Sequence, residues 1–451
     1  MMTLSMAAEA LHSKRVGHDV EFEGVSIDTR SLKPGDLFFA LKGDNYDGHN
    51  FLAEALRAGA VGAVLHRPIH TEMPYLLTEN TRIALGDLAA FWRRHFDIPV
   101  IGVTGSNGKT TVKEMIGAIM ENRHRGLITE GNLNNDIGVP LTLLRLRRAH
   151  RYAVVEMGMN HPGEIYYVST MTRPTIAVIT NAGEAHLQGT GDVATIARIK
   201  GEIFAGLSRD GIAVINADDD YASLWRGMVE GRRCITFGLK QKASVNAEYE
   251  LDARGCRVRL HTTEGDIDMR MSLLGKQNVM NAMAATAASL AAGAGLADIK
   301  RGLERLRAVS GRLELKQGIN GARVIDDTYN ANPASLSVGL EVLKDATGER
   351  VLVLGDMAEL GEAAPAIHRR VGEMAKRIGV NRLFAMGELT GHTVQGFGSG
   401  ARHYSSHQAL VEDLIDCLHA DMTLLVKGSR VMHMEKVVKG IMPQKLEAGA
   451  G

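Results

Sequence analysis

The sequence predicts an α/β protein of three domains whose sheets are mostly parallel. Short apolar runs alternate with segments of helical spacing, which is the pattern of doubly wound sheets. Within residues 98–120, one such run leads through a glycine-rich turn into a helix. The chain of 451 residues is long enough for two to four domains, and its 45% of hydrophobic residues can fill their cores. We place the domains at residues 1–80, 81–309 and 310–451.

The glycine-rich turn carries the strongest functional signal in the sequence. The run Ile98–Val103 predicts a buried strand, and the apolar residues after Thr110 recur at helical spacing. Strand, glycine turn and helix together form a phosphate-binding loop, where backbone N–H groups and the helix N-terminus surround a phosphate. Lys109 can reach the terminal phosphates, and Thr110 offers a hydroxyl to Mg²⁺. The motif is the shortened G-x-x-G-K-T, so an ordinary glycine turn beside a surface lysine is the alternative.

Residues 1–80 predict a small α/β domain ahead of this loop. The runs Leu37–Leu41 and Gly62–Leu65 predict strands, and Phe51–Ala58 predicts a helix. Two polar loops in this domain can hold a phosphorylated, hydroxyl-rich ligand, although ordinary solvated loops explain the same pattern. The candidate residues for a ligand are Ser26, Asp28, Thr29, Arg30, Lys42, Asn45 and His49.

Polar residues follow the buried strands predicted in the central domain. Glu156 ends the apolar run that begins at Tyr152, and ligands of open α/β sheets bind beyond the carboxyl ends of strands. Glu156 is therefore a candidate Mg²⁺ ligand, with a salt bridge at the strand end as the alternative. The preceding stretch is a poor helix or strand former but rich in hydrogen-bonding groups, through Asn132, Asn134 and Asn135.

Three further segments complete the predicted central domain. Short, charged, alternating runs between Glu248 and Leu274 predict antiparallel strands. The alanine-rich helix that follows carries Asn278 and Asn281 near its start, where they can read a base edge or cap the helix. Lys200 lies on a predicted helix, and spacing alone does not distinguish it from a solvated lysine.

The third domain repeats the pattern of a buried strand that ends in polar residues. The predicted strands are Val324–Asp327, Val351–Met357, Arg382–Gly387 and the run that begins at Leu424. This repetition indicates a second doubly wound sheet.

Composition excludes several classes of protein. Basic and acidic residues balance at 52 each, so the surface has no bulk attraction for nucleic acid or anionic membrane. Three distant cysteines form neither a metal motif nor a disulfide framework, which suits the cytoplasm. The N-terminal segment lacks the apolar core of a signal peptide, and Ala282–Ala297 is short for a membrane span.

Several stretches together resemble the Mur ligases, the ATP-dependent amino-acid or peptide ligases of bacterial cell-wall precursor synthesis. The resemblance covers nearly the whole chain, through Thr104–Thr111, Glu156–Gly158, Asn181–His186, Lys200, Asn278 with Asn281, Gly311–Arg312 and Asp327–Pro333. Three stretches look like the type that adds D-alanyl-D-alanine: Asn132–Asn135, Tyr329–Pro333 and Lys427–Arg430. Two positions depart from the family: Ser106 stands where Thr is usual, and Gln277 where many relatives carry His.

The resemblance implies a three-domain architecture: a small UDP-sugar-binding domain, a central ATP-binding domain and a Rossmann-like third domain. It implies ATP, two Mg²⁺ ions and a CO₂-derived carbamate on Lys200 as cofactors, with Lys109, Lys200, His186, Glu156 and Arg312 as catalytic residues. The implied metal ligands are Thr110, Glu156, His186 and Lys200. The implied nucleotide-binding residues are Gly105, Ser106, Asn107, Gly108, Lys109, Thr110, Thr111, Asn278, Asn281, Arg312, Asp327 and Tyr329. The implied substrate-binding residues include the seven candidate ligand residues of the first domain given above. The others are Asn132, Asn134, Asn135, Asn330, Asn332, Lys427, Ser429 and Arg430.

The implied reaction joins D-Ala-D-Ala to the C-terminal carboxylate of UDP-MurNAc-tripeptide through an acyl phosphate, with ADP and phosphate as co-products. The implied partners are these small molecules, without nucleic acid or membrane insertion, for a cytoplasmic monomer. Two alternatives stay open. A sister ligase of the Mur or folylpolyglutamate type would add a different amino acid. A P-loop NTPase switch would catalyse no ligation, and would leave Lys200, His186 and the third-domain acids unexplained.

Overall fold

Three large sheets with helices packed on them follow one another along the chain. The computed structural model describes residues 1–183, 192–229 and 231–443. The three sheets have five, six and six strands, and two smaller sheets accompany them. The predicted α/β class with mostly parallel sheets is confirmed. All strands of each sheet fall on one side of residues 80 and 309, which supports those boundaries as a proposal.

The first sheet has the strand order β2-β7-β6-β5-β4, and only its β2–β7 pair is antiparallel. Because β4 and β5 are parallel neighbours, the loops that leave their carboxyl ends lie at one edge of the sheet. The strands of the first domain are β1 Met2–Thr3, β2 Lys14–Val16, β3 Glu21–Phe22, β4 Gly24–Ser26, β5 Asp36–Phe39, β6 Gly62–Leu65 and β7 Tyr75–Leu77. Strands β1 and β3 lie outside the first sheet and pair with each other in an antiparallel sheet of two strands. The helices are α1 Leu4–Ala10 and α2 Leu52–Arg57, which follows the 3₁₀ turn Gly48–Phe51.

The central sheet is fully parallel and has the order β13-β12-β11-β8-β10-β9. Its strands are β8 Val100–Thr104, β9 Leu127–Ile128, β10 Ala153–Glu156, β11 Ile176–Ile179, β12 Ile212–Asn216 and β13 Arg233–Phe237. The helices of this domain are α3 Thr81–Arg93, α4 Lys109–Met120, α5 Gly138–Leu144, α6 Glu164–Thr172, α7 Val193–Gly201, α8 Ala222–Met228, α9 Lys276–Ala291 and α10 Leu296–Arg305, with the 3₁₀ turn Glu202–Ala205 after α7.

Strand β8 is buried on both faces, which explains why it reads as a continuous apolar run in the sequence. Val100 packs into the core on one face, whereas Ile101 and Val103 pack into the core that contains α4 and α9. The chain crosses from β10 to β11 on opposite sides of β8. Ligands of doubly wound sheets bind at such a switch point, beyond the carboxyl ends of the strands.

The predicted antiparallel strands between residues 248 and 274 are confirmed as a three-stranded sheet. The strands are β14 Asn246–Asp252, β15 Gly255–Thr262 and β16 Gly265–Met271. Alternate residues of β15 and β16, such as Val258 and Met269, are buried in the core shared with α9 and α10. The intervening charged residues are exposed, as expected for a sheet with one solvent-exposed face.

The third sheet has the order β17-β18-β22-β19-β20-β21, with only β17–β18 antiparallel. The strands are β17 Glu314–Gln317, β18 Arg323–Asp327, β19 Glu349–Gly355, β20 Arg382–Met386, β21 Ala401–Tyr404 and β22 Met422–Lys427. The helices are α11 Pro333–Lys344, α12 Ala364–Arg377, α13 Thr390–Phe397, α14 His407–Cys417 and α15 Glu435–Gly440, with 3₁₀ turns at Ile319–Gly321, Gly361–Ala363 and Arg430–Met432.

The central and third domains share an apolar joint beside α9. Leu274 follows β16 in the central domain, yet it is buried in the third-domain core with Ile325 and Leu336. Gly275 comes next with φ +82, and a Cβ there would lie 2.7 Å from Val342 of α11. This close packing sets the start of α9 against the third domain. Within the described ranges, no helix is both long and apolar enough to cross a bilayer.

Candidate active site

A cavity of 330 Å³ lies between the phosphate loop and the third domain. It is lined by the loop, the asparagine-rich stretch, the end of β10, the start of α9 and the segments around β18. The structure thereby brings together these predicted residues: Ser106, Asn107, Gly108, Lys109, Thr110, Thr111, Asn132, Asn134, Asn135, Glu156, Asn278, Asn281, Arg312, Asp327, Tyr329, Asn330, Asn332 and Lys427.

The phosphate loop depends on two glycines with positive φ. Gly105 has φ +147 and Gly108 has φ +82, values that L side chains rarely adopt. A Cβ at Gly105 would collide with Thr180 Oγ1, and a Cβ at Gly108 with Asn281 Oδ1. Helix α4 begins directly after this turn, so its unpaired N–H groups and positive dipole end face the cavity.

Residues that follow β11 form hydrogen bonds that support the phosphate loop. Ser106 Oγ donates to the carbonyl of Gly183 at 3.1 Å and accepts from its N–H at 2.9 Å. Asn181 Oδ1 accepts from the N–H of Asn107 at 3.0 Å. The Ser106 hydroxyl therefore binds the Gly183 backbone. The position of Ser106 in the motif did not predict this role. The predicted metal ligand His186 lies outside the described residues.

Lys109 lies folded over the loop that precedes it. Its Nζ donates to the carbonyls of Gly105 at 2.7 Å and Ser106 at 3.2 Å. Burial lowers the pKa of Lys109, while the nearby Glu156 carboxylate acts to raise it. A cation that is costly to bury and lies beside the cavity is suited to bind an anion such as phosphate.

Glu156 has one carboxylate oxygen engaged and one without a partner. The residue is 2% exposed, and its Oε1 accepts from Asn134 Nδ2 at 2.8 Å. Its Oε2 is buried and has no hydrogen-bond partner within the described ranges. The backbone carbonyl of Asn134 in turn accepts from the N–H of Gly158 at 2.7 Å. Asn134 thus orients Glu156, a positioning role that its prediction as a substrate residue did not include.

The chemistry of this carboxylate suits a divalent cation. A buried, unpaired carboxylate oxygen is costly unless a cation neutralises it, and Mg²⁺ prefers oxygen ligands. The Thr110 hydroxyl lines the same cavity. In the part of the chain that the structure describes, no three His, Cys, Asp or Glu side chains gather as a metal cluster.

Lys200 is buried in α7 at 1% exposure. Burial is the main reason that its pKa falls well below the usual lysine value, and the positive charge of Lys109 adds to the effect. Glu164 and Glu202 oppose the shift. Lys200 is not among the residues that line the 330 Å³ cavity. Burial of this amine therefore disfavours its charged form.

Arg312 reaches across the cleft from the third domain to the phosphate loop. Its Nη2 donates to Thr110 Oγ1 at 3.0 Å, and its guanidinium lies 4.0 Å from the centre of the Tyr329 ring. Its Nε is buried and has no partner among residues 1–183, 192–229 and 231–443. Stacking on Tyr329 holds the guanidinium plane in position for phosphate oxygens.

Asp327 and Lys427 form a buried ion pair at the third-domain side of the cavity. Lys427 Nζ lies 2.5 Å from Asp327 Oδ2 and also donates to the carbonyl of Asn330 at 2.9 Å. Burial raises the pKa of Asp327, while Lys427 acts to lower it. Lys427 therefore fixes the Asn330 turn, in addition to any contact with the predicted substrate.

We expect Asp327→Ala to destabilise the protein by about 3–5 kcal/mol, because it leaves the Lys427 ammonium buried without its counter-ion. Urea unfolding followed by circular dichroism measures this loss. The double variant Asp327→Asn/Lys427→Met removes both charges and serves as the matched control. It should recover most of the lost stability, and a double variant as unstable as Asp327→Ala would contradict the pairing.

The start of α9 contradicts one of the two roles predicted for Asn278, which were to read a base edge or to cap the helix. The helix begins at Lys276 with Gly275 as its N-cap, and Asn278 Nδ2 donates to the carbonyl of Leu274 at 2.8 Å. The alternative that Asn278 caps the helix is therefore wrong, since Gly275 is the N-cap and the Asn278 amide donates to Leu274 in the loop before the helix. Asn281 Nδ2 donates to Asn278 Oδ1 at 3.2 Å, so the two amides form one unit in the cavity wall.

Two predicted residues of the third domain lie away from the cavity. Ser429 is 2% exposed, and its Oγ donates to the carbonyl of Asp356 at 2.6 Å. Arg430 is exposed and lies 3.6 Å from Glu435 of α15. Both side chains have structural partners, and neither lines the cavity between the domains.

The predicted residues of the first domain also lie away from this cavity. Arg30 forms an ion pair with Asp28 at 2.6 Å, and Thr29 Oγ1 donates to Glu54 at 2.7 Å. His49 is 5% exposed, with Nδ1 bonded to Asp47 at 2.7 Å and Nε2 accepting a backbone N–H at 3.2 Å. Both ring nitrogens are thus engaged within the domain, so His49 holds its loop in shape.

Several residues of the cavity wall were not among the predicted site residues. Gln277 directly precedes the adenine candidate Asn278. Asn160 follows the strand that ends at Glu156, and polar residues after a strand end are the sequence signal that could have identified it. The apolar residues of the wall carry no sequence signal of their own. The full set is Met159, Asn160, Gln277, Leu313, Ser335 and Val338, with Gly158.

The three parts of the chain match three family models. The model described as "Mur ligase middle domain" matches residues 103–289, "Mur ligase, glutamate ligase domain" matches 311–430, and "Mur ligase family, catalytic domain" matches 21–95. The three models together span the cavity and both domains that line it.

Relatives and solved structures agree with these matches over nearly the whole chain. The UDP-N-acetylmuramoyl-tripeptide–D-alanyl-D-alanine ligase of Escherichia coli (strain K12) is 41% identical over 444 residues and covers 98% of each chain. A crystal structure of MurF from Acinetobacter baumannii matches with TM-score 0.91 at 36% identity, covering 97% of this chain and 98% of that one. MurF ligase from Thermotoga maritima in complex with ADP matches with TM-score 0.83 at 26% identity, covering 93% and 96%. The chain therefore belongs to the Mur ligase family, and within it to the MurF type.

Proposed function

We propose that this enzyme joins D-alanyl-D-alanine to the C-terminal carboxylate of UDP-MurNAc-tripeptide with consumption of ATP. The observation that carries the proposal is the cavity between the domains. There Lys109 and Glu156 of the central domain face Arg312 and Asp327 of the third domain. The relatives that match over nearly the whole chain are named for this ligation, and the Thermotoga maritima structure is a complex with ADP.

The reaction requires an activated carboxylate, because a carboxylate does not condense with an amine unaided. The γ-phosphoryl group of ATP passes to the tripeptide carboxylate, and the dipeptide amine then displaces phosphate from the acyl phosphate. The main task of the protein is to position the groups and stabilise negative charge. Lys109 at the loop and Arg312 across the cleft supply two cations for the phosphoryl oxygens.

Closure of the domains over the cavity protects the acyl phosphate from water. Arg312 bonds to Thr110 and stacks on Tyr329, so it joins the third domain to the phosphate loop. Asn278 and Asn281 form a wall of amide groups that can hydrogen-bond a base edge. These contacts support the nucleotide roles proposed for Arg312, Tyr329, Asn278 and Asn281.

The residues present fit Mg²⁺, which spreads the charge of the transferring phosphoryl group when bound. Glu156 Oε2 is a buried oxygen without a partner in the described ranges, and the Thr110 hydroxyl shares the cavity. Asn134 holds the other Glu156 oxygen and so leaves Oε2 directed away from it. We include His186 as a further proposed ligand from the family resemblance.

Asn134→Ala should raise the Mg²⁺ concentration needed for half-maximal activity by about 10- to 100-fold, because Glu156 loses the amide that orients it. Mn²⁺ binding measured by electron paramagnetic resonance should weaken in parallel. Asn132→Ala is the matched control, since Asn132 lines the same cavity without a side-chain bond to Glu156. Equal metal requirements for the two variants would refute the positioning role of Asn134.

Lys200 is our proposed site of carbamylation by CO₂. The modification converts a buried amine into a carboxylate, which is a chemically suitable Mg²⁺ ligand beside an anionic substrate. Formation of a carbamate requires a neutral amine, and the lowered pKa of Lys200 shifts the amine toward that form. Glu164 and Glu202 oppose that shift and so lie near enough to influence the lysine.

The loops after β4 and β5 remain our proposed site for the UDP-sugar. They leave neighbouring parallel strands at one edge of the first sheet, and carry Arg30 and Lys42 as cations for a diphosphate. The turn around Asn330 is proposed for the dipeptide, because it lines the same cavity as Glu156. A monomer in the cytoplasm stays a prediction, which light scattering and cell fractionation would measure.

The deciding experiment measures phosphate release with ATP, UDP-MurNAc-tripeptide and D-Ala-D-Ala, with each omitted in turn. We expect release only with all three, together with a pentapeptide product identified by mass. Release that accepts a single amino acid in place of the dipeptide would favour a sister ligase. Release with ATP alone would favour a nucleotide-driven switch.

A further inference from the structure

One side-chain hydrogen bond joins helix α11 of the third domain to the phosphate loop. Asn332 Nδ2 donates to Asn107 Oδ1 at 3.2 Å, between residues 225 positions apart in the sequence. Asn332 is the residue directly before α11, and Asn107 lies between the two positive-φ glycines of the loop. The bond therefore links the start of a third-domain helix to the element proposed to hold ATP.

The orientation of the Asn332 amide is fixed by a second hydrogen bond, which caps α11. Its Oδ1 accepts from the N–H of Ser335 at 2.7 Å and so caps α11. Ser335 Oγ completes a reciprocal cap by accepting from the N–H of Asn332 at 3.0 Å. Because the oxygen is committed to the cap, the nitrogen faces Asn107. An amide in any other orientation would lose the cap.

The backbone of Asn107, at the other end of the bond, is held by three hydrogen bonds. The N–H of Asn107 donates to Asn181 Oδ1 at 3.0 Å, and its carbonyl accepts from Thr180 Oγ1 at 2.6 Å and Asn181 Nδ2 at 3.0 Å. Asn107 thus cannot shift without moving the end of β11. The Asn332 bond reaches this backbone through the Asn107 side chain, so it connects α11 to a fixed part of the loop.

We infer that Asn332 is a positioning residue that couples closure of the third domain to the geometry of the phosphate loop. This inference rests on the proposed function, and it replaces the dipeptide-binding role predicted for Asn332. Nucleotide binds both sides of the cleft, so the apparent affinity for ATP depends on the fraction of molecules with the domains together. The Asn332–Asn107 bond raises that fraction.

The first test separates the interdomain bond from the helix cap. Asn332→Ser keeps a capping oxygen but is too short to reach Asn107. We expect kcat/KM for ATP to fall about five-fold, the value of one ordinary hydrogen bond, with unchanged KM for D-Ala-D-Ala and an unchanged melting temperature. Asn332→Ala loses the cap as well, so its melting temperature should fall.

A double-mutant cycle with Asn107→Ala then tests the bond itself. In the Asn107→Ala background, Asn332→Ser should cause no further loss, because the partner is already absent. Losses that multiply in the double variant would overturn the inference. A rise in the KM for D-Ala-D-Ala with kcat/KM for ATP unchanged would also overturn it, and would return Asn332 to the substrate residues.

The same cycle is measured by calorimetry with a non-hydrolysable ATP analogue alone. This readout is independent of ligation, so it stands even if phosphate release does not require all three substrates. Analogue affinities that are non-additive across the cycle support the coupling, whatever the reaction. Additive affinities overturn the coupling while leaving the proposed ligation untouched.

Discussion

Replacement of Lys109 by Met is expected to abolish turnover, with kcat reduced by about 10³-fold or more. Lys109 sits at the first position of α4, and its Nζ reaches back over the phosphate loop. In the transition state of phosphoryl transfer, negative charge spreads over the oxygens of the γ-phosphoryl group. A cation fixed beside that position stabilises the transition state more than the substrate, so its loss lowers kcat.

The fold should survive this replacement. Burial already lowers the pKa of Lys109, which means that the folded protein disfavours its charged form. Met has nearly the same length and no charge, so the melting temperature should stay equal or rise. Lys276→Met is the matched control: it lies at the start of α9, close to the cavity, but is exposed and does not line it. Near-normal turnover of Lys109→Met would contradict the assignment of the ATP site.

Patterns of burial made much of the fold predictable. Strand β8 is buried on both faces, so its apolar run could be recognised without neighbours. The antiparallel strands β15 and β16 were recognised because one face is wet and their residues alternate. The edge strands β17 and β21 were missed, since their residues are partly exposed and polar. Their pairing comes from a neighbouring strand, which no local pattern reports.

The motifs of the site were predictable, but the contacts between them were not. The strand, glycine turn and lysine of the phosphate loop are contiguous in sequence, so the pattern shows their chemistry directly. Asn134 was assigned to the substrate, whereas it bonds to Glu156 across 22 positions of sequence. Lys427 was assigned likewise, and its Nζ is bound to Asp327. A polar side chain gives no local sign of whether its partner is a ligand or another residue.

Lys200 illustrates this limit most clearly. In sequence it is one lysine on one helix, and only the family resemblance singled it out. In the structure it is 1% exposed, with a pKa well below the usual lysine value. Its neighbour Arg198, two positions earlier on α7, is exposed. The packing of α7 into the hydrophobic core creates the difference, and a helical pattern without its partners does not reveal it.

Lys200→Met and Lys200→Arg are both expected to lose activity on the order of 10³-fold, because neither side chain can become a carbamate that binds Mg²⁺. Arg keeps a positive charge, so it distinguishes carbamylation from a simple need for a cation. Arg198→Met on the same helix is the control and should stay active. An active Lys200→Arg enzyme would argue directly against carbamylation. In wild-type enzyme stripped of CO₂, bicarbonate should restore activity, whereas neither variant should respond.

The stability of Lys200→Met gives a second, independent readout. The pKa of Lys200 is lowered in the folded protein, so between that pKa and about 10.5 the unfolded chain binds more protons. Stability of the wild type without bicarbonate should therefore rise with pH across this window, because the folded lysine is neutral there and the cost of deprotonating it on folding falls as pH rises. Lys200→Met lacks that dependence and should be the more stable protein at neutral pH. Urea unfolding of both proteins at pH 6, 7.5 and 9 measures the difference in slope. Parallel slopes would mean that Lys200 is solvated as a cation, and would remove the chemical basis for its reaction with CO₂.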